Sequence, residues 1–124
     1  MNYINISDDE RFDIPFKWIR GDDEEEDLIF TDDQGEPLDF TGSRFDCDIV
    51  PNGAERFRLS TTSGEISVEN NEITLTVSHE KTEQVTWTSA KWDLQQTSAS
   101  GLVKTLCGGA IKLRKDVTYD VHQS

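Results

Sequence analysis

The residues of this chain that could take part in catalysis are its two histidines, its cysteines and its many carboxylates. Nucleophilic catalysis needs a serine or cysteine beside a histidine that a third group orients. His79 lies in a polar segment and His122 lies close to the last residue, so neither predicts such an arrangement. The Gly108-Gly109 pair lacks the strand, turn and helix context of a phosphate-binding loop. We therefore predict no catalytic centre and expect that the protein is not an enzyme.

The carboxylates suggest glycoside hydrolysis or metal binding as alternatives. A glycosidase acid needs an apolar pocket, but Asp46, Asp48 and Asp93 alternate with apolar residues and are expected to face water. Residues 21–27, GDDEEED, hold six consecutive carboxylates without the mid-loop glycine and late glutamate of an EF-hand. We interpret this run as a solvated charged segment and leave cation binding open as the alternative. No metal or cofactor is predicted.

Three tryptophans are candidates for stacking on sugar rings. Trp18 and Trp92 are in phase with apolar neighbours, which predicts that they pack in the core. Trp87 is out of phase with Trp92 and is expected to be exposed. It is therefore a candidate contact for a partner, or for a carbohydrate if the protein is a binding module for host surfaces.

The charge of the chain limits its partners. The sequence has 25 acidic and 12 basic residues, a formal net charge of −13. Because this charge repels phosphates, we expect no binding to nucleic acid or to an anionic membrane. No stretch approaches the ~20 apolar residues of a spanning helix, and the first residues do not resemble a leader. We expect synthesis in the cytoplasm.

The elements that position these residues are strands, since apolar residues alternate with polar ones along most of the chain. Residues 12–20 form one predicted strand, with Phe12 on its buried face and Lys17 on the other. Pro15 lacks an N–H, which places this strand at a sheet edge. Another subunit can add to such an edge, so Phe12, Pro15 and Lys17 are interaction candidates.

About seven or eight short strands at regular spacing predict an all-β protein, either a sandwich or a small barrel. We divide the chain into a flexible amino-terminal arm at 1–10, one domain at 11–118 and a tail at 119–124. A kink is expected at Gly108-Gly109, and a short helical turn is expected after Ser78. Cys47 and Cys107 are expected to be buried thiols, with a disulfide between neighbouring strands as the alternative.

Four motifs in order carry a resemblance to a family of small phage and prophage proteins. They are a Gly-Asp after the first strand, the double turn in TDDQGEPLDFTG, the segment ITLTVSHEKT, and WDL followed by a hairpin into GGAIKLRKDVT. The residues that match the double turn are Gly35, Pro37, Asp39, Thr41 and Gly42. The resemblance covers most of residues 12–118.

Members of that family resemble immunoglobulin-like β-sandwiches and the amino-terminal domains of baseplate or tail-fibre adaptor proteins. The resemblance implies a single immunoglobulin-like sandwich of antiparallel strands and a structural role without catalysis. It also implies other virion proteins as partners, a homo-oligomer, and a location in the virion, in the tail, baseplate or neck.

Overall fold

The computed structural model describes residues 1–115, which form nine β-strands and two short 3-10 helical turns. The helical turns span Asp9–Phe12 and His79–Lys81. Neither of them is long or apolar enough to cross a membrane. Residues 116–118 and the predicted tail at 119–124 lie outside the described residues. The strands are β1 (Asn2–Asn5), β2 (Phe16–Ile19), β3 (Glu24–Thr31), β4 (Arg44–Pro51), β5 (Phe57–Ser60), β6 (Ile66–Glu69), β7 (Glu72–Val77), β8 (Ser89–Thr97) and β9 (Val103–Arg114).

The strands form two sheets packed as a sandwich, which confirms the predicted all-β sandwich. The four-stranded sheet has the order β1-β3-β7-β6, and the five-stranded sheet has the order β2-β9-β8-β4-β5. The expectation of antiparallel strands throughout is wrong, because β1 pairs with β3 and β2 pairs with β9 in parallel. Both parallel strands precede the regular hairpins in the chain and join the sheets at their edges.

The core lies between the two sheets and follows the alternation in the sequence. Phe40 packs edge-to-face between Phe30 of β3 and Phe45 of β4, with ring centroids 5.6 and 4.9 Å away. At another place in the core Phe16 stacks on Trp92 at 4.3 Å. Trp18 and Trp92 are both buried, as predicted. Aromatic pairs of this kind add about 0.5–1.5 kcal/mol beyond the burial of their area.

The first ten residues differ from the predicted flexible arm. They contain β1, and Ile4 is 4% exposed in the core. The chain then enters a 3-10 turn whose first N–H groups need a cap, and the Asp8 side chain accepts a hydrogen bond from the backbone N–H of Glu10 at 2.9 Å. A four-residue strand with one buried apolar side chain is too short to show a period, which is why the sequence pattern did not reveal it.

The predicted strand at 12–20 is shorter in the structure. Phe12 ends the 3-10 turn on the surface, Pro15 precedes the strand, and β2 begins at Phe16. The prediction that Phe12 lies on the buried face is therefore wrong. The predicted edge position is confirmed, since β2 is the first strand of the five-stranded sheet.

The register of β9 changes before the glycine pair. Leu94 of β8 lies opposite Cys107, whereas Gln95 lies opposite Thr105, so Leu106 is an extra residue in β9. Leu106 and Cys107 are consecutive and both buried. The bulge is therefore at Leu106, and the kink predicted at Gly108-Gly109 is misplaced by two residues. A bulge lets one strand turn successive side chains to the same face.

The two cysteines are buried and free, which confirms the prediction of two thiols. Cys47 of β4 and Cys107 of β9 both lie opposite Leu94 of β8. One whole strand therefore separates them, and two strand spacings amount to about 9–10 Å. This distance exceeds the ~7 Å limit between the Cα atoms of a disulfide, so the backbone does not permit the alternative pairing.

In the double turn after β3, the aspartates and glycines have conformational roles that other residue types fill less well. The Asp32 carboxylate accepts hydrogen bonds from the backbone N–H groups of Gln34 and Glu36, at 2.8 and 2.9 Å. The Asp39 carboxylate caps the second turn in the same way, accepting from Thr41 N–H at 3.0 Å. Gly35 and Gly42 have φ of 79° and 73°, a left-handed conformation that favours glycine.

Candidate interaction surface

A shallow groove lies on the outer face of the five-stranded sheet. It consists of three adjoining depressions that share Lys91 and are lined among others by Phe12, Pro15, Val50, Ala110 and the Gly108-Gly109 pair; together we name them the Phe12 groove. Phe12 is 42% exposed and Val50 is 45% exposed. Apolar surface of this kind, bordered by charged residues, is typical of a contact site for another protein.

The segment that carries Phe12 and Pro15 is held to the sheet by Ile14. The Ile14 N–H donates to the Gly108 carbonyl at 3.0 Å, and the Trp92 indole N–H donates to the Ile14 carbonyl at 3.1 Å. These two bonds hold the backbone of Ile14, the residue before Pro15, to the sheet. The groove is therefore built on a rigid sheet and does not depend on a mobile loop.

The structure brings together two of the four predicted interaction residues. Phe12 and Pro15 line the same groove, while Lys17 lies on the outer face of β2 opposite Lys112 of β9. Trp87 does not belong with them, because it is 5% exposed. The prediction that Trp87 is exposed is wrong, since it precedes β8 and the strand period that relates it to Trp92 does not extend to it.

The outer face of the five-stranded sheet is rich in basic residues. Lys17, Lys91 and Lys112 are exposed and lie on adjoining strands. Within residues 1–115 none of these three lysines forms an ion pair. Six basic side chains point outward from this sheet, namely Lys17, Arg44, Arg58, Lys91, Lys112 and Arg114, against three acidic ones, Asp46, Asp48 and Asp93.

Two of these aspartates lie directly opposite each other on β4 and β8. Asp48 accepts hydrogen bonds from Arg58 at 2.7 Å and from Arg56 at 3.2 Å, and these contacts lower its pKa. Among residues 1–115 Asp93 has no such partner, and its Oδ1 is buried without a hydrogen bond from any of them. Burial, followed by the charge of Asp48, raises the pKa of Asp93. Both side chains are half-buried, which corrects the expectation that they are fully wet.

The free edge of β2 presents fewer unpaired backbone N–H groups for pairing with another subunit than the sequence predicts. In a parallel ladder alternate residues turn their N–H groups to the partner strand, and Arg20 donates to Arg114 of β9 at 2.8 Å. Ile19 therefore faces outward, and its N–H donates to the Glu24 carboxylate at 2.8 Å. Pro15 has no N–H at all. The edge is thus partly blocked, as natural sheet edges often are, whereas the groove beside it is open.

The acidic run at 21–27 is more structured than a solvated segment. Asp23 accepts from the backbone N–H of His79 at 2.7 Å, and Glu26 accepts from the Trp18 indole N–H at 2.9 Å. Asp27 accepts from the Thr74 hydroxyl at 2.8 Å. Within residues 1–115, no group of three or more acidic, histidine or cysteine side chains is placed to hold a metal ion.

His79 pairs with an acid on the surface. Its Nδ1 lies 2.9 Å from the Asp23 carboxylate at the 3-10 turn that Ser78 caps, as the sequence predicts for that turn. The hydrogen bond and charge of Asp23 raise the pKa of His79, while the bonds from His79 lower the pKa of Asp23. In the part of the chain that the structure describes, no serine or cysteine hydrogen-bonds the imidazole; the contacts of His79 with Asp23 join the 3-10 turn to the loop before β3.

No protein-family model and no curated protein matches this chain. Among solved structures, the chain is similar to the N-terminal domain of phage TP901-1 ORF48, with a TM-score of 0.59 and 10% sequence identity. The similarity covers 93% of this chain and 100% of that domain. At this identity the likeness shows the fold alone. The structural neighbour is a phage protein, in agreement with the sequence resemblance.

Proposed function

We propose that this chain is a structural protein of a phage virion, an adaptor of the tail, baseplate or neck that binds other virion proteins. The Phe12 groove carries the proposal, because it joins Phe12 and Val50, two exposed apolar side chains, to Lys91, which forms no ion pair with any residue of 1–115. The likeness in fold to a domain of a phage protein supports it. The protein would be made in the host cytoplasm and then be incorporated into the particle.

The groove is suited to a protein partner. Gly108 and Gly109 line it without adding side chains, so the backbone of β9 forms part of the surface that a partner would contact. Phe12 can supply the aromatic anchor that often dominates binding energy. The carbohydrate-binding alternative depended on an exposed Trp87, and that side chain is buried.

The proposal is tested in a phage that encodes this protein. Deletion of the gene should give particles that lack or misassemble part of the tail, baseplate or neck in electron micrographs and that infect poorly. Normal particles with normal infectivity would refute the role.

The groove is tested by complementing the deletion with variants. Phe12→Ser and Val50→Asp should lower the amount of this protein in purified particles at least ~10-fold, since each removes apolar contact area from the centre of the interface. Leu102→Ser is the matched control, because Leu102 is 68% exposed on the tip between β8 and β9. Circular dichroism melts verify that each variant folds. Incorporation of all three variants at the wild-type level would show that the groove is not the contact site.

A further inference from the structure

The outer face of the four-stranded sheet is acidic, whereas the outer face of the five-stranded sheet is rich in basic residues. Strands β1, β3, β6 and β7 contain no lysine or arginine. Their outward positions, which alternate with buried apolar residues, hold four acids, Glu25, Asp27, Glu69 and Glu72. The carboxylates of Glu25 and Glu72 form no hydrogen bond or ion pair within residues 1–115.

The same face also carries Tyr3 and Ile29, two large side chains that point away from the core. Tyr3 is 78% exposed and lies in register beside Ile29, which also points outward. Thr74 and Thr76 occupy neighbouring outward positions on β7. Tyrosine is a frequent anchor at protein interfaces because it combines a large apolar ring with a polar end.

We propose that the outer face of the four-stranded sheet in one copy of this chain docks on the outer face of the five-stranded sheet in the next copy. Glu25 and Glu72 of one copy then face Lys91 and Lys112 of its neighbour, and Tyr3 packs at the Phe12 groove. The inference rests on the proposed function, since it names the partner for the same groove.

The charge pattern selects this arrangement over a symmetric dimer. Two five-stranded faces would bring lysines against lysines, and two four-stranded faces would bring carboxylates against carboxylates, each at a cost of like-charge contact. Only unlike faces attract. A contact between different faces is heterologous, so it repeats from copy to copy and closes as a ring or continues as an open helical filament.

Reversing the charges of each face in a separate variant tests this arrangement. One variant carries Lys91→Glu with Lys112→Glu, and the other carries Glu25→Lys with Glu72→Lys. Sedimentation velocity from about 1 µM to about 1 mM covers the usual range of such interfaces. Wild-type protein should form oligomers, and each variant alone should associate at least ~100-fold more weakly because its two faces then have the same sign.

A mixture of the two variants in equal amounts should assemble again. In the mixture, the reversed five-stranded face meets the reversed four-stranded face, and the two unaltered faces meet each other, so all contacts between unlike variants are complementary. A control with Asp33→Lys and Glu36→Lys changes the net charge as much as the four-stranded variant does, but in the loop after β3, and should assemble like the wild type.

Three results would overturn the inference: a wild-type chain that stays monomeric to ~1 mM, assembly that is unaffected by reversal of the four-stranded face, or variants that do not recover on mixing. These results are independent of the gene deletion. A monomer whose deletion still gives defective particles would refute the self-contact and leave the adaptor role in place, with a different virion protein in the groove.

Discussion

Gly109 of β9 lies directly against the backbone of Ile14. A Cβ atom at position 109 would clash with the Ile14 carbonyl oxygen and would lie 2.6 Å from the Ile14 nitrogen. The same Ile14 carbonyl accepts the hydrogen bond from Trp92, and its N–H donates to Gly108. The missing side chain of one glycine therefore lets the segment before β2 approach the sheet and form the wall of the Phe12 groove.

Gly109→Ala should accordingly displace that segment. The backbone contact cannot be relieved by rotating a side chain, so we expect a loss of about 2–4 kcal/mol in the free energy of unfolding, as for other overpacked or broken buried contacts. Urea unfolding followed by tryptophan fluorescence measures the loss. Ala110→Ser, at the next and outward position, should change stability by less than ~0.5 kcal/mol. Equal stability of the two variants would contradict the close approach.

Much of the sandwich could be predicted from the sequence because its longer strands alternate regularly. In β4, Phe45, Cys47 and Ile49 are buried while Asp46 and Asp48 face outward. A period of two over eight residues leaves one choice of face. The edge position of β2 could also be predicted, from the missing N–H of Pro15.

The features that the sequence does not predict depend on contacts between residues far apart in the chain. β1 has one buried apolar residue, Ile4, and its parallel pairing with β3 leaves no signal in a four-residue sequence. The prediction that Trp87 is exposed extends the period of β8 to a position before its first residue, Ser89. The Phe12 groove depends on how Ile14 meets Gly109, and no local pattern of residue types shows that contact.

Ionisation of Asp93 should lower the free energy of unfolding. Burial and the facing Asp48 raise its pKa above 3.8 in the folded protein, so its unfavourable charge appears as the pH rises through that raised value and persists at pH 7. Asp93→Asn removes the charge. Because Asp93 is only half-buried and solvent screens part of its charge, we expect a gain of only about 0.5–1 kcal/mol at pH 7, the size of a like-charge pair across strands.

The gain from Asp93→Asn should disappear below about pH 3.8, where the aspartate is protonated in both the folded and unfolded states. Thermal melts of the wild type and variant from pH 3 to 7 measure this difference. Asp46→Asn is the control, since Asp46 lies opposite Gln95 and not opposite another carboxylate. A variant that is less stable than the wild type at pH 7 would show that Asp93 has a partner in solution.

The pairing of Asp23 with His79 should appear in the histidine titration. The hydrogen bond at 2.9 Å favours the imidazolium, so the pKa of His79 should lie above 6.5, and Asp23→Asn should return it towards 6.5. Any stabilisation by this pair is complete between about pH 3.8 and pH 6.5; it is lost as the pH rises through the raised pKa of His79 and as the pH falls through the lowered pKa of Asp23.

NMR of the imidazole protons measures the titration, and His122→Gln removes the only other histidine signal. Asp22→Asn serves as the control, because Asp22 does not hydrogen-bond the ring. A wild-type His79 that titrates at or below 6.5 would mean that the pair is broken in water.

The two buried thiols should be inert in the folded protein. Cys47 and Cys107 are both 0% exposed, and burial raises the pKa of each thiol well above its usual range. Since only the thiolate reacts, modification requires unfolding or local opening, which should slow it at least ~100-fold relative to an exposed cysteine. A colorimetric thiol reagent at pH 8 should therefore label neither residue in buffer and both in denaturant without added reductant, since no disulfide joins them.

Val103→Cys provides the control on the same strand as Cys107, because Val103 is 60% exposed and the new thiol should react at once. Fast labelling of the wild type in buffer would show that the sandwich opens at β4 or β9, and recovery of fewer than two thiols in denaturant would reveal a disulfide that the separation of these strands forbids.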